Sequence, residues 1–443
     1  MARDPSLRAD SKTVGERIDG WKHRLINRLR SWAGKLPLPE DDAEPIDLSA
    51  PSVPYYTDLA RRFSMASLLL FLLAFIFVVV ALISSRDTLT YANLYYLVKD
   101  INASGISAQA RADRMEYPVS VSEPAFARYR GGLVSVGSEE VSVISGAGKQ
   151  TLSVNVSYGT PAVAVSDKYF ITYGRGECAY SVFNAFSQIR SESTEFPVYG
   201  AAVADDGSFA ILTRSKTYTS EVIFYDKNME KVADYHMNGY VTSIAMNADG
   251  TYAVIASAED VSGHWVSKIV LLRLTGRITE QSVTIEGAFA GVCGFTAEDR
   301  AAVVFTDRVM VLRTDGTPVS DTTFGSLDVS LCAVSPGRIA VVLEQPQKPQ
   351  ERTVIVLDKN GKTVYTRNVV TASQPSAAAF GGNLLYLRAS DRLYRLSADG
   401  EELTCAVISR DAADCLPSED GTVLVCGAAF AVRLDSDDFS PAE

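Results

Sequence analysis

From residue 113 onward, apolar runs of four to eight residues alternate with clusters of Gly, Asn and Asp. Short apolar runs bounded by turn residues predict β-strands. One pattern repeats along this stretch: an apolar strand, a tight turn, a second apolar strand, a third strand, a Gly/Asn/Asp turn and a fourth strand. The turn between third and fourth strands is the clearest marker, as in VIFYDKNMEKVADY, VMVLRTDGTPVSD, VIVLDKNGKTVYT and LYRLSADGEELTC. Its copies centre near Gly146, Asn228, Gly276, Gly316, Gly361 and Gly400, with a degenerate copy near Phe186, at spacings of 39 to 48 residues. Asn, Asp and Gly suit these positions because tight hairpins need positive φ. The turn between first and second strands repeats too, in AVADDGSFAIL, AMNADGTYAVI and LPSEDGTVLVC. Units begin near 124, 161, 200, 241, 291, 330, 375 and 413.

A period of about 40 residues with four short strands per unit is the signature of a β-propeller. A pair of β-sandwiches would not space its hairpins so evenly. The fold class expected is therefore all-β, an eight-bladed propeller over residues 113–439, with seven blades as the alternative. The last unit has three strands and no fourth, and an orphan strand, RMEYPVSVS (114–122), precedes the first unit. That strand can supply the missing outer strand of blade eight and so close the ring.

Upstream the periodicity changes. Residues 63–85, FSMASLLLFLLAFIFVVVALISS, carry no charge. As a helix they would run about 34 Å against a hydrocarbon core of about 30 Å. The segment starts too far into the chain and runs too long for a cleavable signal peptide, so it reads as an uncleaved signal anchor. Residues 1–62 form a tail in which Val14, Ile18, Trp21, Leu25, Leu29 and Trp32 recur at helical spacing, followed by a Pro-rich acidic linker. The basic helix fits an anionic membrane surface and fits packing on a partner or on its own copy equally well. Residues 86–112, with NLYYLVKDI, read as a juxtamembrane segment.

Charge adds orientation and excludes one partner class. Residues 1–36 hold nine Lys/Arg against four Asp/Glu, which places the N-terminus in the cytoplasm and the propeller outside, at the cell membrane. Residues 86–443 hold 31 Lys/Arg against 43 Asp/Glu, which argues against nucleic acid as a partner. The six cysteines, Cys178, Cys293, Cys332, Cys405, Cys415 and Cys426, have no metal-ligand spacing and sit mostly in apolar runs as small hydrophobes; one or two disulfides fit the oxidising compartment as the alternative.

Together, the basic tail, the signal anchor, the NLYYLVKDI-type segment and the degenerate strand repeats resemble an uncharacterised family of membrane-anchored bacterial propeller proteins, mostly of Gram-positive anaerobes, catalogued as a domain of unknown function. The resemblance implies a fold and a location rather than an activity. More distantly the repeats resemble WD-type and quinoprotein-type propellers, without the Trp-Asp ending of the one or the tryptophan docking motif of the other.

Candidate chemistry is sparse. His236 and His264 lie in different units, and no nucleophile elbow, P-loop or dinucleotide fingerprint occurs, so no catalytic, metal or cofactor residue is assigned. The Asp-rich turns Asp205-Asp206-Gly207 and Asn247-Ala248-Asp249-Gly250 lack the ligand series of a calcium loop and are explained by hairpin chemistry. Two long loops between second and third strands, 258–268 and 344–353, are expected on the same propeller face. His264 and Trp265 at the tip of the first are the candidate binding residues; the alternative is that Trp265 packs back on its own blade. The expected function is a membrane-anchored, extracytoplasmic scaffold binding a protein or cell-wall partner, without catalysis or cofactor. The alternative is a quinoprotein-like or other propeller enzyme acting on a cell-wall or extracellular substrate. Inner strands such as AAVA, SIAM and SAAA are small and apolar and favour binding.

Overall fold

The computed structural model describes residues 112–442 except Pro346 and Pro349, together with Phe63, Ala66, Leu69, Leu70, Leu72, Leu73, Phe75 and Ile76, each helical and exposed. Among the described residues no helix is long and apolar enough to cross a membrane. The expected cytoplasmic tail (1–62), most of the expected spanning helix (63–85) and the juxtamembrane segment (86–112, except its last residue) lie outside the described residues.

Residues 114–441 form eight antiparallel sheets, of which seven run in chain order from inner to outer strand. Inner strands begin at Ala125, Pro161, Gly200, Tyr240, Ala290, Val329, Ala377 and Asp414, within two residues of the units read from the sequence. Each inner strand adjoins the next, and the last adjoins the first, so the sheets form a ring of eight blades. The eight-bladed expectation holds and the seven-bladed alternative falls.

The core explains why the repeat alone cannot fold. Eight buried clusters occur, one at each blade-to-blade interface. Val254, Ile269 and Leu271 of blade four, for example, pack on Val303, Phe305 and Leu312 of blade five. Second strands such as Phe209–Thr213 are buried at every position because both faces meet a neighbour. Outer strands such as Thr279–Glu286 are mostly exposed and polar.

Closure is the expected one, on a shorter strand. Arg114–Glu116 pairs with Phe430–Leu434 as the outer strand of blade eight, placing Met115 opposite Ala431. Met115 is fully buried among Leu133, Ile144, Leu424 and Cys426. Residues 117–124 are not a continuation of that strand but the link to blade one. The chain end makes a second, unanticipated closure. Ser440–Pro441 adds a fifth strand to blade seven beside Leu403–Val407. Phe439 packs on Tyr386 with centroids 6.0 Å apart and lies under the Arg395 guanidinium at 4.3 Å.

All six cysteines are free thiols, so the disulfide alternative has no counterpart in the structure. Burial pushes the thiols of Cys293 and Cys332 up to about 11 and that of Cys415 up to about 12, with Cys426 raised as well. A thiol raised this far holds little thiolate at neutral pH and is chemically inert. Maleimide at neutral pH is expected to leave these four unmodified in the native chain and to modify all of them in urea, read by mass spectrometry.

Met115 offers a direct test of closure. Met115→Ala is expected to lower unfolding stability by about 2–5 kcal/mol. The neighbouring Glu116→Ala, which removes only an exposed pair with Arg114, should change it by less than about 0.5 kcal/mol. Urea melts of the two variants compare these directly.

Candidate functional site

Alternating hairpins give the ring two unlike faces. One carries the turns between first and second and between third and fourth strands, the turn face. The other carries the second-to-third hairpins and the links between blades, the link face. The chain enters on the turn face, where the Ala112 N–H donates to the Gly146 carbonyl at 3.1 Å in a third-to-fourth turn of blade one.

Apolar side chains divide unevenly between the faces. Among the described propeller residues, the large apolar side chains more than half exposed are Val119, Val121, Tyr240, Val370 and Val407. All five lie on the link face, as do the partly exposed Tyr199, Tyr218 and Trp265. The turn face shows only less exposed aliphatics at strand ends, such as Val165, Val232 and Val364. The link-face side chains are spread around the ring over several blades and links rather than drawn from one segment.

Blade four carries the most prominent feature of that face. Its second and third strands, Tyr252–Val261 and His264–Arg273, are ten residues each. The stretch expected as a loop at 258–268 is instead an ordered two-stranded ribbon. It closes in a two-residue turn, Ser262 at φ 56° and Gly263 at φ 85°, the left-handed pair that a type I′ hairpin requires. Pairing with the inner strand stops at Tyr240↔Ala258 and with the outer strand at Val266↔Glu286. Residues 259–265 therefore stand clear of the sheet. Of the second expected loop, 344–353, Glu344 and residues 351–353 belong to paired strands, and Lys348 between them pairs with Glu351 at 2.7 Å.

His264 and Trp265 sit on this arm, directly after the turn. His264 is exposed and faces Val261 across the ribbon. The alternative, packing back on its own blade, is met only in part: Trp265 packs on the adjoining link. It packs edge-on against Phe289 of the link to blade five, centroids 5.1 Å apart, and its carbonyl accepts the Gly287 N–H at 2.7 Å. It nevertheless stays 49% exposed. Tyr240, 71% exposed, projects from the same side of the sheet, since Tyr240 faces Ala258 and Trp265 faces Asp260 two residues on. A rigid, half-buried indole is the kind of anchor that dominates binding energy. Asp260 is its cross-strand partner. Tyr240 and Phe289 escaped sequence reading because only strand register brings them to Trp265.

Two concavities lie among the described residues. One, of 390 Å³, opens between blades seven and eight and is lined by Val407, Ile408, Ala412, Phe430, Val432 and Leu434. The other, of 590 Å³, is the mouth of the central channel on the turn face, with Arg128, Arg130, Asp167 and Glu419 in its wall. Much of that charge is engaged. Arg128 donates to the Leu416 carbonyl and the Thr422 hydroxyl, both at 3.2 Å, and Arg130 lies over Phe186 at 5.7 Å. The Asp-rich turns also serve themselves. The Asp206 carboxylate accepts the Ser208 N–H at 2.8 Å and its hydroxyl at 2.9 Å, and the Asn247 side-chain oxygen accepts the Tyr252 N–H at 2.8 Å. Among the described residues no group of three His, Cys, Asp or Glu side chains converges as a metal-ligand set.

The described residues define an eight-bladed β-propeller. The chain belongs to a family of unknown function, DUF5711, whose model matches residues 102–428. Among solved structures it is similar to BamB from Moraxella catarrhalis, at TM-score 0.50 and 11% identity, over 73% of this chain and 99% of that one. Apo AztD from Citrobacter koseri matches at TM-score 0.48 and 12% identity, over 72% and 90% of the two chains. The Neurospora crassa Pan2 WD40 domain matches at 0.43 and 10%, over 64% and 89%. No curated protein matches the sequence. At such identities the likeness is one of fold.

Trp265 is the only tryptophan among the described residues. In a Trp21→Phe, Trp32→Phe background its emission should be that of a half-exposed indole, readily quenched by iodide. Loss of that emission shape and quenching in Gly263→Val, which cannot hold φ 85°, would show that the turn sets the indole.

Proposed function

We propose that this chain is a single-pass membrane protein that displays its propeller outside the cell, N-terminus in the cytoplasm, as a scaffold binding a protein or cell-wall partner through the link face. One observation carries the reading. The exposed aromatic and aliphatic side chains gather on the face opposite the one at which the chain enters. The membrane part is supported by the uncharged run at 63–85 and by Phe63, Leu69, Leu70, Leu72, Leu73, Phe75 and Ile76, apolar helical residues that are all more than half exposed. Water would oppose that exposure and lipid would favour it. Binding at Trp265 and His264 needs no catalytic step, cofactor or metal. The enzyme reading rests on Asp167 and Glu419 in the channel mouth, and the bonding of Arg128 across blades weighs against it.

Photo-crosslinking in living cells separates these readings. A photoreactive residue at Trp265 or Tyr240 should trap a discrete partner, and one at Asn228 on the turn face should not. The opposite pattern would move the site to the turn face. For topology, a membrane-impermeant maleimide should label Ser262→Cys in intact cells and leave Ser11→Cys unlabelled until the membrane is breached; the reverse order of labelling would invert the orientation.

A further inference from the structure

We infer that the seam between blades eight and one holds a small inorganic anion, of halide size, on the guanidinium of Arg433. The inference is independent of what the link face binds. Arg433 lies on Phe430–Leu434, the third strand of blade eight. Alternation along that strand puts it on the same side as Ala431, which is buried in the cluster shared with blade one. The side chain is 8% exposed. Its Nε and Nη1 are sealed from solvent and have no hydrogen-bond partner among the described residues.

A guanidinium cannot shed its charge inside a protein. Burying that charge without a counter-charge opposes folding strongly, which is why buried charges are found paired. The chain supplies no such pair here. The Arg433 N–H donates to the Asp113 carbonyl at 2.9 Å, yet the Asp113 side chain is exposed and no ion pair joins the two. The Asp420 carboxylate accepts the Thr422 N–H at 3.1 Å and its hydroxyl at 2.7 Å. Thr422 lies two residues before Leu424, the cross-strand partner of Arg433. Arg128 of blade one reaches over the same seam to the Thr422 hydroxyl at 3.2 Å, which brings a second cation rather than a counter-charge. A buried water would take the hydrogen bonds of Arg433 and leave its charge; an anion answers both.

Burial limits the guest. Neither concavity described above has Arg433 in its wall, so the space suits an ion about as large as a water molecule, and chloride is the abundant anion of that size. The place of the site gives the guest an effect. Arg433 stands one residue beyond the closing pair Arg114↔Val432. The cluster beside it joins Leu133 and Ile144 of blade one to Leu424 and Ala431 of blade eight, so the site forms only when the ring is closed. An anion that binds the closed ring and not the open chain stabilises closure increasingly as its concentration rises.

The test uses the full chain in detergent, melted in sodium gluconate with chloride exchanged in at constant ionic strength. Chloride at about tenfold its half-saturating concentration should raise the melting temperature by roughly 2 °C. Arg433→Met, which keeps the length of the side chain and removes the charge, should lose that response and, without chloride, melt no lower than the native chain. Arg410→Met, which removes an exposed arginine, should keep the response. Crystals of the native chain soaked in bromide should show an anomalous peak within hydrogen-bonding reach of the Arg433 guanidinium, a reading that does not depend on any variant folding. A melting temperature indifferent to chloride, an equal response in Arg433→Met, or bromide absent from Arg433 each overturns the inference.

Discussion

Everything in this molecule depends on burying both faces of a small sheet. One four-stranded blade has an apolar side toward each neighbour and no helix to cover either. The eight core clusters belong to interfaces and none to a single blade. The ring is what satisfies this requirement, because an open array would leave two apolar sheets in water. Closure at blade eight is therefore the condition on which the other seven interfaces rest. The chain meets it twice, with Met115 at one side of blade eight and Phe439 at the other.

The same requirement explains how function is distributed. Core positions are committed to packing and inner strands to the channel wall, which leaves the loops of the two faces for binding. The turn face spends its polar groups on itself, as Asp206, Asn247 and Arg128 show. The link face keeps apolar side chains in water. Trp265 is held half-buried against Phe289, which limits its rotamer freedom.

Much of the fold was legible in the chain. Tight turns need Gly, Asn or Asp, so they left a repeating mark, and strand starts fell within two residues of it. Where the reading missed, a local signal misled. Glu259, Asp260, Ser262 and His264 are polar and suggest a loop, yet a ribbon exposed on both sides is polar too. Pro118 and the exposed Val119 and Val121 end the closing strand early, although their alternation looks like strand. Ser440–Pro441 pairs as a strand that its sequence would not announce. At the candidate site Trp265 was visible as an isolated aromatic. Tyr240 and Phe289 became visible only through register, as did the cleft, which no single segment encodes.

The closing strand also sets an order of events during synthesis. Met115 pairs with Ala431, so one of the first propeller strands made must wait for one of the last. Until blade eight exists, blade one shows an uncovered apolar side and the nascent chain carries unsatisfied strand edges. Pairings so distant in sequence form slowly and leave the chain open to aggregation meanwhile. A propeller built this way cannot mature blade by blade from its N-terminal end. It becomes a stable object only when the whole repeat array has been delivered, and a truncated product would remain permanently unsealed.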